Sequence, residues 1–225
     1  VSQAPAPFDG TYELLVPTGM FNVLEPTDRD QAAAAFADLF SQMFPSIVPA
    51  ELEMLVDGIL RWRDLLTDRG IIFHGVVGLP AGYEFEGHVF GAAHWHIFAG
   101  VVEVPAYREL DAGSMMARIF GHEFTRPGTH TESFETVMGW GAGLITEIDT
   151  VPGTLTRPDV LPLPGQMAVA AVLSGEHGSN RALLVVGLAA DVEQKHEMAA
   201  VVGLMGGKST ISVASDMPVA ADQLP

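Results

Sequence analysis

Five side chains between positions 84 and 96 have the types and spacing to hold a divalent cation: Glu84, Glu86 and His88, then His94 and His96. Carboxylate and imidazole are ligands for zinc and related ions, and residues two apart in an extended chain project from the same face. His74, on the preceding apolar segment, joins them if the register of the two strands permits. The same residue types also serve on strands as partly buried, hydrogen-bonded side chains, and no further ligand pair fixes a coordination geometry here. The segment is therefore expected to be structural, with no metal and no cofactor.

Other chemical signatures fail at named positions. Gly139-Trp-Gly-Ala-Gly-Leu144 resembles a dinucleotide fingerprint, but Leu144 stands where the last glycine belongs, and the segment joins two strands, so it is expected to be a hairpin turn. Gly206-Gly-Lys-Ser209 resembles the end of a phosphate-binding loop, yet Val202 occupies the position of the first glycine and a helix precedes it; a helix C-terminus is expected. Ser174-Gly-Glu-His177 gathers a hydroxyl, a carboxylate and an imidazole without the Gly-x-Ser-x-Gly elbow that presents a nucleophile. His122-Glu123 has Arg126 where a zinc-protease helix needs its second histidine. Glu147 and Asp149 share a strand face, as do Glu132 and Phe134 on the neighbouring strand; a solvated strand edge is expected there. The aromatic Trp62, between Arg61 and Arg63, is expected in the core, as are Trp95 and Trp140. No catalytic residue is assigned, and the balance leans away from an enzyme.

Composition narrows the classes further. The chain of 225 residues is 48% hydrophobic and 17% charged, proportions that support a packed α/β core. It has no cysteine, which removes disulfides, thiolate metal sites and cysteine nucleophiles together. A net charge of −17, from 28 acidic against 11 basic residues, repels phosphate backbones and anionic lipid, so nucleic acid is not expected as a partner. The acidic surface keeps the chain soluble or meets a basic protein partner. No apolar run is long enough to span a bilayer, and Val1 to Gly10 lacks a basic start followed by an apolar stretch, so a cytoplasmic location is expected. Lys195 and Lys208 are the only lysines, arginine supplying the other basic residues, as the codon bias of a GC-rich genome produces.

The elements that must position these residues follow from periodicity. Tyr12 to Pro17 reads as an opening strand. Asp28 caps a helix carrying Phe36, Leu39 and Phe40, and Pro49 opens a second helix with a broad apolar stripe running to Leu65. Ile71 to Leu79 and Gly91 to Val104 are strands that are apolar throughout, as strands covered on both faces are. Pro80 to Phe90 is a loop between them, and a short helix runs through Met115 to Phe120. Thr131 to Met138 and Leu144 to Thr150 form a hairpin around the glycine-rich turn. Pro152 to Pro164 crosses to a second hairpin, Gln166 to Ser174 and Arg181 to Ala190, and Asp191 caps a last helix. The expected order is β-α-α-β-β-α-β-β-β-β-α, a mainly antiparallel sheet flanked by helices, with a flexible start (1–10), a single domain (11–214) and a flexible tail (215–225).

The opening Tyr12-Glu-Leu-Leu-Val-Pro17 strand, the helical pair, the Gly70 to Leu79 strand and the strand-strand-helix from Gln166 together resemble proteins of high-GC Gram-positive bacteria in the PsbP-like α/β/α sandwich class. The resemblance spans about the whole chain and is one of pattern. It implies the sandwich fold and a binding or accessory role, with a link to type VII secretion, near whose genes some relatives are encoded. It transfers no functional residue. Three readings follow: a non-enzymatic protein-binding or accessory protein, foremost; a metal-dependent or small-ligand enzyme built on Glu84 to His96; and a component that self-associates through its second helix.

Overall fold

Strands that are apolar throughout must be shielded on both sides. In the computed structural model, which describes residues 10–79, 82–85, 88–90, 93–104, 112–121, 127–149 and 166–212, such strands form the middle of a seven-stranded antiparallel sheet. The elements in chain order are β1 (Thr11–Glu13), β2 (Phe21–Asn22), α1 (Arg29–Met43), α2 (Pro49–Thr67), β3 (Ile71–Leu79), β4 (Tyr83–Phe85), β5 (His88–Phe90) and β6 (Ala93–Glu103). There follow α3 (Ala112–Phe120), β7 (His130–Thr136), β8 (Gly139–Asp149), β9 (Gln166–Gly175), β10 (Arg181–Ala189), α4 (Lys195–Lys208) and β11 (Thr210–Ser212). The main sheet has the order β2-β3-β6-β10-β9-β8-β7, while β1 pairs with β11 and β4 with β5 in two small sheets.

Alternation along each strand sends side chains to two cores. Trp95, Ile97 and Ala99 of β6 lie under α4 with Leu183 and Val185 of β10, and Met198, Val202 and Met205 of the helix are fully enclosed there. Their neighbours Leu144, Ala171 and Leu173 face the opposite side and pack with Met116, Ile119 and Phe120 of α3. A third cluster, Val23, Ala32, Phe36 and Leu60 with Val76, joins α1 and α2 to the β3 end of that second face. The fold is a mixed α/β sandwich, as the alternating periodicities require.

Local chemistry accounts for the helix limits. The Asp28 carboxylate accepts from the Gln31 amide at 2.8 Å, and Pro49 supplies the first turn of α2 with no side-chain cap. Asp191 accepts from the Glu193 amide at 3.0 Å, capping a short 3-10 turn, Val192–Gln194, that leads into α4. Gly206, Gly207 and Lys208 close α4.

The structure departs from the expected order in four places. The opening strand is short, Thr11–Glu13, and its partner is β11, a strand too brief for periodicity to reveal. Asn22 and Phe21 form a further edge strand on β3. The span Pro80 to Phe90 contains the β4–β5 hairpin among its described residues, where a loop was expected. Gly139 to Gly143 is not the turn: β8 begins at Gly139, and the turn is Val137-Met138. The glycines are there for packing, since a Cβ on Gly141 would lie 2.6 Å from Thr136 Cγ2 and 2.8 Å from Phe134 Cε2. The aromatic ring of Phe134 covers the bare backbone opposite it, which a turn assignment cannot explain.

Candidate functional site

The described residues gathered as possible ligands fall on three strands, β4, β5 and β6. Glu84 is paired with Val89 and His88 with Phe85, so Glu84 and His88 stand on opposite strands of the antiparallel β4–β5 pair. Glu86 lies outside the described residues, as do His122 and Glu123. His94 stands on β6 opposite Gly78, and His96 opposite Val76. His96 lies against His74. Among the described residues no group of three or more His, Cys, Asp or Glu is placed to hold a metal ion.

His74 and His96 lie on the face of the sheet covered by α2. His74 Nε2 and His96 Nδ1 are 3.2 Å apart, and the Trp62 indole reaches down from α2 so that its Nε1 lies 3.4 Å from His74 Nδ1. Indole nitrogen only donates, which fixes the order of donors. His74 Nδ1 accepts from Trp62, so neutral His74 carries its proton on Nε2 and donates to His96 Nδ1. Phe98 stacks on the His74 ring at 4.3 Å between centroids with 9° between planes. His74 is 3% exposed. Burial, and then the neighbouring His96, hold its pKa down to about 4 from an ordinary 6.5, so the ring is uncharged at neutral pH. The arrangement is a hydrogen-bonded relay from the α2 surface into the sheet.

Trp62 connects that relay to the outer surface. It is 40% exposed, in contrast to the core position expected for it. Trp95 is buried as expected, its indole donating to Gln194 Oε1 at 2.8 Å; Trp140 is half-buried, donating to the Glu176 carbonyl at 3.1 Å. Glu147 lies on β8, inside the β7 edge, and takes Lys195 Nζ at 2.6 Å, so the expected solvated edge is instead an ion pair between β8 and the start of α4. Ser174 is wholly buried within β9, while Glu176 and His177 follow in the hairpin loop.

The outer face of α2 is the feature that periodicity alone merged into the core. Its inward positions are Val56, Ile59, Leu60, Arg63 and Leu66, all buried or half-buried. At 100° per residue Met54 and Leu65, 62% and 40% exposed, fall on the opposite side, and Leu55 and Trp62, 38% and 40% exposed, on the flank between them and Leu66. Met43, Phe44 and Val48, at the α1–α2 connection, are exposed as well. Seven of the twelve large apolar side chains exposed among the described residues thus lie between Met43 and Leu65. The sequence signal was present: an apolar arc wider than a single core-facing stripe means a helix with two apolar sides.

No helix among the described residues is long and apolar enough to cross a membrane. No protein-family model matches the chain, and no curated protein matches it. Solved structures with a similar arrangement at low identity include two proteins. One is LpqN of Mycobacterium tuberculosis, described as involved in cell envelope biogenesis, with 12% identity, a TM-score of 0.43, and coverage of 92% of this chain and 86% of that one. The other is the Saccharomyces cerevisiae Ran-binding protein Mog1p, with 10% identity, a TM-score of 0.43, and coverage of 92% and 98%.

Proposed function

We propose that this chain is a protein-binding module whose contact surface is the outward face of the α1–α2 hairpin. The observation that carries the reading is the row Met54, Leu55, Trp62 and Leu65, an apolar stripe on a helix whose other side already serves the core. Large apolar side chains gathered on one exposed face mark interaction surfaces, and burial of each contributes roughly 1.5–3 kcal/mol.

Charge defines the partner. Glu51, Glu53 and Asp57 flank the stripe, with Arg61 the basic residue between its members. An apolar segment bordered by lysine or arginine complements this surface, and the overall charge of −17 steers such a partner in. A second copy is disfavoured by the same charges, because a two-fold contact would set acidic rims against each other.

The test compares capture from a native lysate by wild type and by a Met54→Glu, Leu65→Glu double variant. Wild type should retain a stoichiometric protein that the variant loses while keeping its circular dichroism and melting temperature. Equal capture by both would overturn the assignment of this face, and a concentration-dependent dimer in light scattering would replace the partner with a second copy. Accessory action in secretion, which the sequence resemblance implies, is the finer form of this reading, and the identity of the captured protein tests it.

A further inference from the structure

α4 crosses the sheet on the face opposite α2, and the spacing of its residues leaves a gap there. Lys195, Ala199 and Gly203 recur every fourth residue and so share one side of the helix. Lys195 reaches Glu147 on β8, its Nζ 2.6 Å from a carboxylate oxygen. At the next two positions α4 offers only a methyl group and a hydrogen. A cavity of about 230 Å³ is left between α4 and the β7–β8 edge, bordered by the half-buried Phe134, Ile145, Ala199 and Gly203. A Cβ on Gly203 would meet nothing within 4 Å.

Glu132 and His130, on β7, are the ionisable side chains that line the cavity, and both are exposed. Glu132 stands opposite Gly143 in the pairing of β7 with β8. A Cβ on Gly143 would lie 3.2 Å from Glu132 Cγ, 3.5 Å from its Oε1 and 3.2 Å from Phe134 Cε1, so the carboxylate and the aromatic ring flank one bare stretch of β8. Glu147 has its cation from α4, whereas no hydrogen bond or ion pair among the described residues engages Glu132. The cavity is smaller than the roughly 300 Å³ at which small-molecule sites begin. It suits a single long side chain, with an apolar stem for the wall and a compact positive head for the carboxylate, a division that lysine carries.

We propose that this cavity takes a lysine side chain from a segment of another protein, its methylene stem against Phe134, Ile145 and Ala199 and its ammonium on Glu132. The field of a chain carrying −17 draws such a segment in. The site lies on the opposite sheet face from the outward stripe of α2, so the segment that fills it is separate from one that covers α2, and the proposal does not depend on the reading given to that stripe.

The experiment titrates the ¹⁵N-labelled chain, followed by amide chemical shifts, with two blocked tripeptides, acetyl-Ala-Lys-Ala-amide and acetyl-Ala-norleucine-Ala-amide. The second keeps the aliphatic stem and lacks the ammonium. The lysine peptide should give saturable shifts centred on Glu132, Gly143 and Gly203, in the millimolar range usual for so small a contact. The norleucine peptide should bind about fivefold more weakly, because one exposed ion pair is lost. Glu132→Gln, a change at an exposed side chain, should bring the two peptides to equal affinity. Gly203→Leu, which fills the cavity from a helix position with free space around it, should abolish the shifts with either peptide while circular dichroism keeps its wild-type form; if that variant misfolds, the Glu132→Gln comparison decides. Absence of saturable shifts with the lysine peptide, or shifts spread over the acidic surface with no centre at the cavity, would overturn the proposal. Equal binding of both peptides to wild type, or an unchanged preference in Glu132→Gln, would overturn it too.

Discussion

His74 and His96 meet ring to ring across the β3–β6 seam, Nε2 to Nδ1 at 3.2 Å, although they are not paired in register: His74 stands opposite Phe98, and His96 opposite Val76. The diagonal contact places two imidazoles on one sheet face beneath α2. Trp62 closes the chain of donors from above, so a residue on the proposed contact surface is hydrogen-bonded to a titratable group in the core.

Stability should fall in mild acid because of this pair. The folded-state pKa of His74 is about 4, below the ordinary 6.5, so its neutral form contributes stability that is present above pH 6.5 and lost as pH falls through about 4. For a ring this buried the full loss is on the order of 3 kcal/mol. Urea denaturation between pH 7 and pH 4 should show a decline in wild type that is much shallower in His74→Gln, the difference between the two removing the contribution of the many carboxylates. Parallel declines would contradict the placement of His74.

Trp62→Phe removes the donor that favours unprotonated Nδ1 on His74. The His74 midpoint, followed by the ring C–H resonances, should move up toward the ordinary value while the fold persists, because Trp62 is partly exposed and its ring volume is largely retained by Phe. A midpoint that stays put would mean that the indole hydrogen bond does not act on the titration.

The central strands were legible because β3, β6, β9 and β10 are continuous apolar runs, a pattern that demands cover on both faces. Asp28, Pro49 and Asp191 announced helix starts through chemistry confined to a few residues. What could not be read was non-local. The methyl and ring contacts that fill the space over Gly141 come from Thr136 and Phe134 on the adjacent strand, so a glycine run looks like a turn until register is known. The His74–His96 contact likewise depends on the irregular pairing between Ile71 and Phe73 that sets the register of β3 on β6. On α2, one apolar arc concealed two functions, because periodicity records that a face is apolar and not what covers it.

The fit of α4 on the sheet can be probed by two glycines three residues apart. A Cβ on Gly206 would sit 2.4 Å from Val172 Cγ1, within the helix–sheet contact, whereas one on Gly203 meets nothing within 4 Å. Gly206→Ala should therefore destabilise by about 1–3 kcal/mol despite alanine's better helix propensity. Gly203→Ala should be stabilising by roughly 0.5–1 kcal/mol. Chemical denaturation of the two variants checks the sign of each, and destabilisation by both would contradict the stated packing of α4.

The two apolar sides of α2 should respond oppositely to charge. Leu60 is 6% exposed and belongs to the cluster with Phe36 and Val23, so Leu60→Glu should unfold or severely destabilise the chain. Met54→Glu should change stability by no more than about 0.5 kcal/mol, as exposed substitutions do. Thermal melts of the two variants make the comparison, and a large loss in Met54→Glu would mean that this face is part of the core.

Hydrogen–deuterium exchange on the protein alone and in complex with its captured partner tests the central claim most directly. Binding should slow exchange across Met54 to Leu65 and the α1–α2 connection while leaving α4 unchanged. Protection centred on α4 or on the β7 edge, with α2 unaffected, would contradict it.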